Sequence, residues 1–141
     1  STSLNKLNID HDILCYFASS KIFGKVKKDF DLIRFENFYS IYCHAFEKIT
    51  KHFIKKGGQF IYYPSSVALE QNIRGLEEYK LAKKIGENIS NTFNTKKNIK
   101  VIIDRLDRVN TDQTLSIISI PSIDAVEAAI NIALQFNKKI L

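Results

Sequence analysis

The sequence predicts an α/β fold in three layers, with helices on both faces of a parallel sheet. Short apolar runs rich in β-branched and aromatic residues alternate with longer segments whose apolar residues recur every three or four positions. The resulting order is strand, helix, strand, helix, strand, strand, helix, and right-handed crossovers join such strands in parallel. A chain of 141 residues, 45% of them hydrophobic, is predicted to form one domain with its own core.

Four segments are predicted as strands. Residues 12–18 and 59–63 are continuous apolar runs, too short for typical helices, and Pro64 is expected to end the second because proline cannot donate to a sheet ladder. Residues 99–103 form a β-branched third strand, and residues 115–120 a short further one. Ligands bind beyond the carboxyl ends of parallel strands, so chemistry is expected in the residues that follow them.

Three segments are predicted as helices. Residues 35–53 carry apolar side chains at helical spacing and are followed by a Gly-Gly stop, and residues 76–93 keep the same spacing. The last helix is expected to begin after Ser122, a suitable N-cap, with Asp124 in its first turn to complement the helix dipole. These helices are long enough to cover the predicted sheet.

Charge and cysteine usage argue against several classes of function. The net charge of +6 comes from lysines scattered in short pairs, which is typical of solvated faces rather than of a nucleic-acid-binding surface. Cys15 and Cys43 lie in apolar runs without metal-ligand spacing, which predicts buried free thiols in a reducing cytoplasm and no metal site. No apolar stretch reaches the roughly 20 residues that span a bilayer. We therefore expect a cytoplasmic protein without a membrane partner.

Three residues near the second predicted strand are suited to carbonyl chemistry. Ser66 follows that strand closely, and the next predicted helix carries Tyr79 and Lys83. Residues four apart share a helical face, where an ammonium beside a phenol favours the phenolate and lowers the pKa of the tyrosine. Such a tyrosine can act as a general acid or base, while the serine hydroxyl holds a substrate carbonyl.

This arrangement resembles the serine and YxxxK signature of the short-chain dehydrogenase/reductase superfamily. The resemblance covers nearly the whole chain and implies a partial Rossmann-like sheet, strands four to six or seven of the family fold. It implies that Tyr79 is the acid/base, that Lys83 lowers its pKa and holds the nicotinamide ribose, and that Ser66 orients the substrate. Ala18 and Ser19, after the first predicted strand, match the place where the family lines its NAD or NADP cofactor.

The sequence also departs from the family pattern. The glycine-rich turn that binds the pyrophosphate is absent, and so are the strands around it. The helix before the second strand carries Tyr42 near the place where the family often has an asparagine. Residues 104–108 replace a common Pro-Gly. The chain begins without Met, so we expect the C-terminal catalytic half of a larger NAD(P)-binding domain or multidomain enzyme, inactive by itself.

Other interpretations of the same residues stay open. A degenerate, non-catalytic scaffold or protein-interaction domain would carry the same pattern, since a tyrosine and a lysine four apart also form surface pairs. Ser66 has the alternative role of a turn or cap residue. Arg105 and Arg108 would meet an anionic ligand or pair with nearby aspartates. An anion- or nucleic-acid-binding module is a third, weaker hypothesis, and it predicts an affinity that falls steeply with salt.

The expected partners follow from the leading hypothesis. They are a small-molecule carbonyl or alcohol substrate and the remainder of a longer polypeptide. A half sheet also exposes an edge strand, whose free backbone groups favour self-association.

Overall fold

The computed structural model describes residues 12–22, 29–106, 109–110, 123–124 and 134. The chain divides into two compact units, Ser1–Arg105 and Leu106–Leu141. Its elements, in chain order, are β1 Ile13–Cys15, α1 Leu32–Tyr39, a π-helical segment Ser40–Ala45, α2 Phe46–Lys55, β2 Phe60–Ser66, a 3-10 turn Val67–Leu69, α3 Glu77–Asn94, β3 Lys100–Leu106, β4 Val109–Asn110 and β5 Ile123–Asp124.

The principal sheet has the order β1-β2-β3 and its strands are parallel. Ile13, Leu14 and Cys15 pair with Phe60, Ile61 and Tyr62. Lys100 N donates to Gln59 O at 2.8 Å where β3 begins beside β2. The prediction of an α/β fold built on a parallel sheet is therefore confirmed.

Pro64 does not end the second strand, as the sequence predicted, because β2 continues through it to Ser66. Phe60 N donates to Asp12 O and Tyr16 N donates to Tyr62 O, so the even-numbered residues of β2 bond towards β1. The absent N–H of Pro64 therefore falls beyond Cys15, where β1 has already ended. A proline costs no ladder bond there.

The first predicted helix begins three residues earlier than expected and contains a π-helical segment between α1 and α2. The Asp31 side chain caps α1 by accepting from Arg34 N at 3.4 Å. Phe38, Tyr42 and Phe46 follow one another at four-residue spacing along this helix, which keeps them near one face, and all three are buried in the core.

Two clusters of buried side chains form the core. One joins the sheet to α2 and α3, and the other joins α1, the π-helical segment and α3. Ile61 and Tyr63 of β2 contribute to the first cluster, and Ser65 bonds to α3 on the same side. Both long helices therefore pack on one face of this sheet. The expected covering of the other face depended on the last helix, most of which lies outside the described residues.

Two smaller predictions are corrected. Asp124 belongs to β5, which pairs in parallel with β4, so it does not lie in the first turn of a helix. Cys43 is buried as expected but Cys15 is exposed, because it points from an edge strand away from the helices. The predicted strand at residues 115–120 lies outside the described part of the chain. Within that part, no helix is both long and apolar enough to cross a membrane.

Gly86 allows α3 to approach β2 and the π-helical segment. A Cβ at this position would collide with the Tyr63 hydroxyl and would lie 2.9 Å from Tyr42 O. We expect Gly86→Ala to lower the free energy of unfolding by about 1–2 kcal/mol, since overpacking outweighs the gain in helix propensity. Urea denaturation checks this, with Asn88→Ala on the exposed side of α3 as the control. An alanine variant as stable as the wild type would contradict the close approach.

Candidate functional site

The residues singled out from the sequence surround the carboxyl end of the parallel sheet. Ser66 is the last residue of β2, and Ala18 and Ser19 lie in the loop after β1. Tyr79 lies in the first turn of α3, with Lys83 one turn further along. The crossover from β2 to α3 is what brings the serine and the helix together.

Ser66 both caps a turn and contacts the tyrosine. Its side chain accepts a hydrogen bond from Ala68 N at 3.2 Å and so begins the 3-10 turn. A hydrogen bond with the Ser66 side chain also lowers the pKa of Tyr79. The cap interpretation and the site interpretation are therefore compatible, since one hydroxyl serves both.

Tyr79 is held among aromatic rings, with only 6% of its surface exposed. Its ring packs edge-on against Phe38 and Tyr42, each with a centroid separation of 5.6 Å. Burial raises the pKa of Tyr79 to about 12, Ser66 acts in the opposite direction, and Tyr42 adds to the rise. The sequence predicted the opposite direction, a pKa lowered by Lys83.

The Lys83 amine explains this difference because it is directed elsewhere. Nζ donates to Pro64 O at 2.6 Å and lies 4.2 Å from the ring centroid of Tyr42, 5.2 Å from that of Tyr63 and 5.9 Å from that of Tyr79. Burial lowers the pKa of Lys83 to about 7, and the negative charge of Glu87 acts in the opposite direction. Near neutral pH the amine thus carries only part of a charge.

The loop after β1 is anchored to the helix opposite. Ser19 Oγ lies 3.0 Å from Tyr42 Oη, and Tyr16 Oη donates to Ile41 O at 2.6 Å. Ala18 and Ser19 are exposed, whereas Ser20 Oγ is buried and has no hydrogen-bond partner within the described ranges. A buried hydroxyl without a partner is suited to a ligand group that would satisfy it.

A buried carboxylate near the site was not predicted from the sequence. Glu87 accepts from Arg105 through Nε at 2.8 Å and Nη2 at 2.9 Å, and from Ser65 Oγ at 2.7 Å. Arg105 Nη1 also donates to Glu70 at 2.7 Å. These bonds, Arg105 first, lower the pKa of Glu87 to about 2. Arg105 therefore pairs with glutamates that are distant in sequence. The sequence offered one indication of this carboxylate, because Glu87 lies one turn beyond Lys83 on the same predicted helix.

A second ion pair fixes the start of α3. Arg34 Nη1 donates to Glu78 Oε2 at 3.3 Å and to Gly75 O at 2.9 Å, while Nη2 donates to Ile22 O at 2.8 Å. Glu78 Oε1 accepts from Asp31 N at 2.7 Å. Glu78, next to Tyr79, is thus bound to the start of α1, and Arg34 extends the network to the loop after β1. These bonds fix the direction of the helix that carries the tyrosine.

The described residues include no group of His, Cys, Asp and Glu that could hold a metal ion. No protein-family model matches this chain, and no curated protein matches it with significant similarity.

The buried amine of Lys83 makes folding depend on pH. The native pKa of about 7 lies below the ordinary value of 10.5, so between them the unfolded chain binds more protons than the native one. We expect the free energy of unfolding of the wild type, relative to Lys83→Met, to be constant below about pH 7 and to rise by a few kcal/mol up to about pH 10.5.

Urea denaturation over this pH range measures the effect. Lys48→Met on α2 is the matched control, because an exposed ammonium keeps its hydration in both states. If the difference in the free energy of unfolding between the wild type and Lys83→Met does not change with pH, Lys83 keeps its charge on folding.

Proposed function

We propose that the chain is the catalytic side of an NAD(P)-dependent short-chain dehydrogenase/reductase that acts on a carbonyl or hydroxyl substrate. One observation carries the proposal. Ser66 ends a central parallel strand and lies close enough to Tyr79, on the helix that follows, for its side chain to lower the pKa of that tyrosine, with Lys83 one turn further along. The order of strand end, serine, tyrosine and lysine supports the resemblance that the sequence suggested.

The site residues have distinct roles in the proposed reaction. Tyr79, with a pKa raised to about 12, holds its proton near neutral pH and would donate it to a carbonyl oxygen as hydride transfer makes that oxygen more basic. The Ser66 hydroxyl would orient the same oxygen. Bound NAD or NADP supplies the hydride chemistry.

The residues near the site offer the kinds of hydrogen-bonding group that would hold the ribose of a dinucleotide. The Lys83 amine carries at least two N–H donors. Among the described residues Pro64 O is its one hydrogen-bond acceptor, so at least one donor is left for a hydroxyl group. Ser19 and the partnerless Ser20 Oγ lie in the loop that joins the same edge of the sheet. We propose that Lys83, Ala18 and Ser19 hold this part of the cofactor.

A non-catalytic scaffold is the second candidate, and the structure offers an observation in its favour. Ser66 caps a turn, Tyr79 packs in the core, and Lys83 binds a backbone carbonyl. Each residue therefore has a structural role that would preserve it without catalysis. The two candidates make different predictions for turnover.

The edge of the sheet supports the proposed association with other chains. β1 is an edge strand of the described sheet, and Ile13, Cys15 and Phe17 are exposed on or just after it. Such an edge favours pairing with another strand, from a second copy or from the remainder of a longer polypeptide. The free cysteines support the proposed cytoplasmic location.

Replacement of the tyrosine hydroxyl tests the proposed function. In the longer polypeptide that contains this chain, we expect Tyr79→Phe to lower kcat for carbonyl reduction by roughly 10²–10⁴-fold. The proton donor is lost, while the phenyl ring still fills the place of the tyrosine ring. Oxidation of NADH or NADPH in the presence of aldehydes and ketones measures this.

Tyr39→Phe, the same change at an exposed position of α1, is the matched control and should keep full activity. Equal turnover by Tyr79→Phe and the wild type, or no turnover by the wild type with either dinucleotide, would favour the scaffold.

A further inference from the structure

Tyr42 connects two parts of the molecule that are far apart in sequence. It lies in the π-helical segment and is 1% exposed. Its hydroxyl oxygen is 3.0 Å from Ser19 Oγ and 3.5 Å from Ser20 N, while its ring centroid is 4.2 Å from Lys83 Nζ. No other described ring is as close to that amine.

The surrounding structure leaves Tyr42 little freedom. Its backbone carbonyl accepts from the Tyr63 hydroxyl at 3.2 Å, and its ring stacks on Phe38 at 6.0 Å. Gly86 of α3 approaches the same carbonyl, so this turn is held from two elements. A side chain fixed at its base can hold groups at both its ring and its hydroxyl.

We propose that Tyr42 is a positioning residue that ties the loop after β1 to the amine of Lys83. The ring presents its negative face to the ammonium form of Lys83. The hydroxyl holds Ser19, so the loop and the amine keep a constant separation. The consequence for cofactor binding rests on the proposed function, whereas the tie between Ser19, Tyr42 and Lys83 does not.

The ring and the hydroxyl can be tested separately. Tyr42→Phe keeps the ring and loses the bond to Ser19, whereas Tyr42→Leu loses both. Other groups that face the amine are the same in both variants: Cys43 of the π-helical segment, Glu87 and Tyr79 of α3, and Tyr63 and Pro64 of β2.

The first measurement is the titration of Lys83 in the intact protein, followed by NMR of isotope-labelled lysine and assigned with Lys83→Arg. We expect Tyr42→Phe to titrate as the wild type does. In Tyr42→Leu the titration midpoint of Lys83 should lie about one pH unit lower. The Lys83 ammonium loses the favourable contact with the Tyr42 ring, while Tyr63 and Tyr79 still bury it. An unchanged or raised midpoint in a folded Tyr42→Leu would overturn the tie to the amine.

The second measurement is the dissociation constant for NADH and NADPH in the wild type, Tyr42→Phe, Ser19→Ala and the double variant. Each single change should weaken binding by roughly 3–10-fold, as expected for one lost hydrogen bond. The double variant should bind no more weakly than Ser19→Ala alone, because the bond that Tyr42→Phe removes is already lost in that variant.

The outcomes separate this inference from the proposed function. A wild type that binds neither dinucleotide, together with a lowered midpoint in Tyr42→Leu, would overturn the proposed function and support the tie. Dinucleotide binding with fully additive losses would support the proposed function and overturn the tie between Tyr42 and Ser19.

Discussion

Burial of the Lys83 amine is the constraint on which the rest of the site depends. Removing an ammonium from water is costly, so the surrounding chain must supply an acceptor and polarisable surfaces. Pro64 O does so only because β2 continues past its last bond to β1, and the ring of Tyr42 does so because a π-helical segment directs it inward. The close approach of α3 at Gly86 holds both near the amine. The end of β2, the π-helical segment and Gly86 thus all contribute to the surroundings of the Lys83 amine.

Two ion pairs hold α3 on either side of the site. Glu78 binds Arg34 at the start of the helix, and Glu87 binds Arg105 from β3 two turns later. Both carboxylates are buried. Removal of Arg34 would leave Glu78 without its ion-pair partner, and removal of Arg105 would leave Glu87 with only the longer ion pair to Lys84 Nζ at 3.5 Å. Tyr79 and Lys83 lie between the two pairs, on a stretch of helix that can neither slide nor rotate freely. This rigidity suits a proton donor that must meet a substrate at a fixed place.

The sequence predicted what depends on local pattern. Alternating apolar runs predicted the parallel sheet and its helices, and the position of Ser66 after a strand predicted its meeting with Tyr79. What failed depends on tertiary contacts. Four-residue spacing places Lys83 on the same helical face as Tyr79, but it does not show that the long side chain turns towards Pro64 O, so the direction of the tyrosine pKa was wrong. The partners of Arg105 and the contacts of Tyr42 likewise join distant segments.

The proposed binding of a nicotinamide dinucleotide at the carboxyl end of this sheet can be tested by an NMR titration of the backbone amides. NADH and NADPH are added in turn to the longer polypeptide that contains this chain. We expect perturbed amides in the loop around Ala18 and Ser19, at Ser66 and along the first turns of α3 near Tyr79 and Lys83. Amides there that stay unchanged at millimolar dinucleotide, or that change no more than those at the opposite end of the sheet, would contradict it.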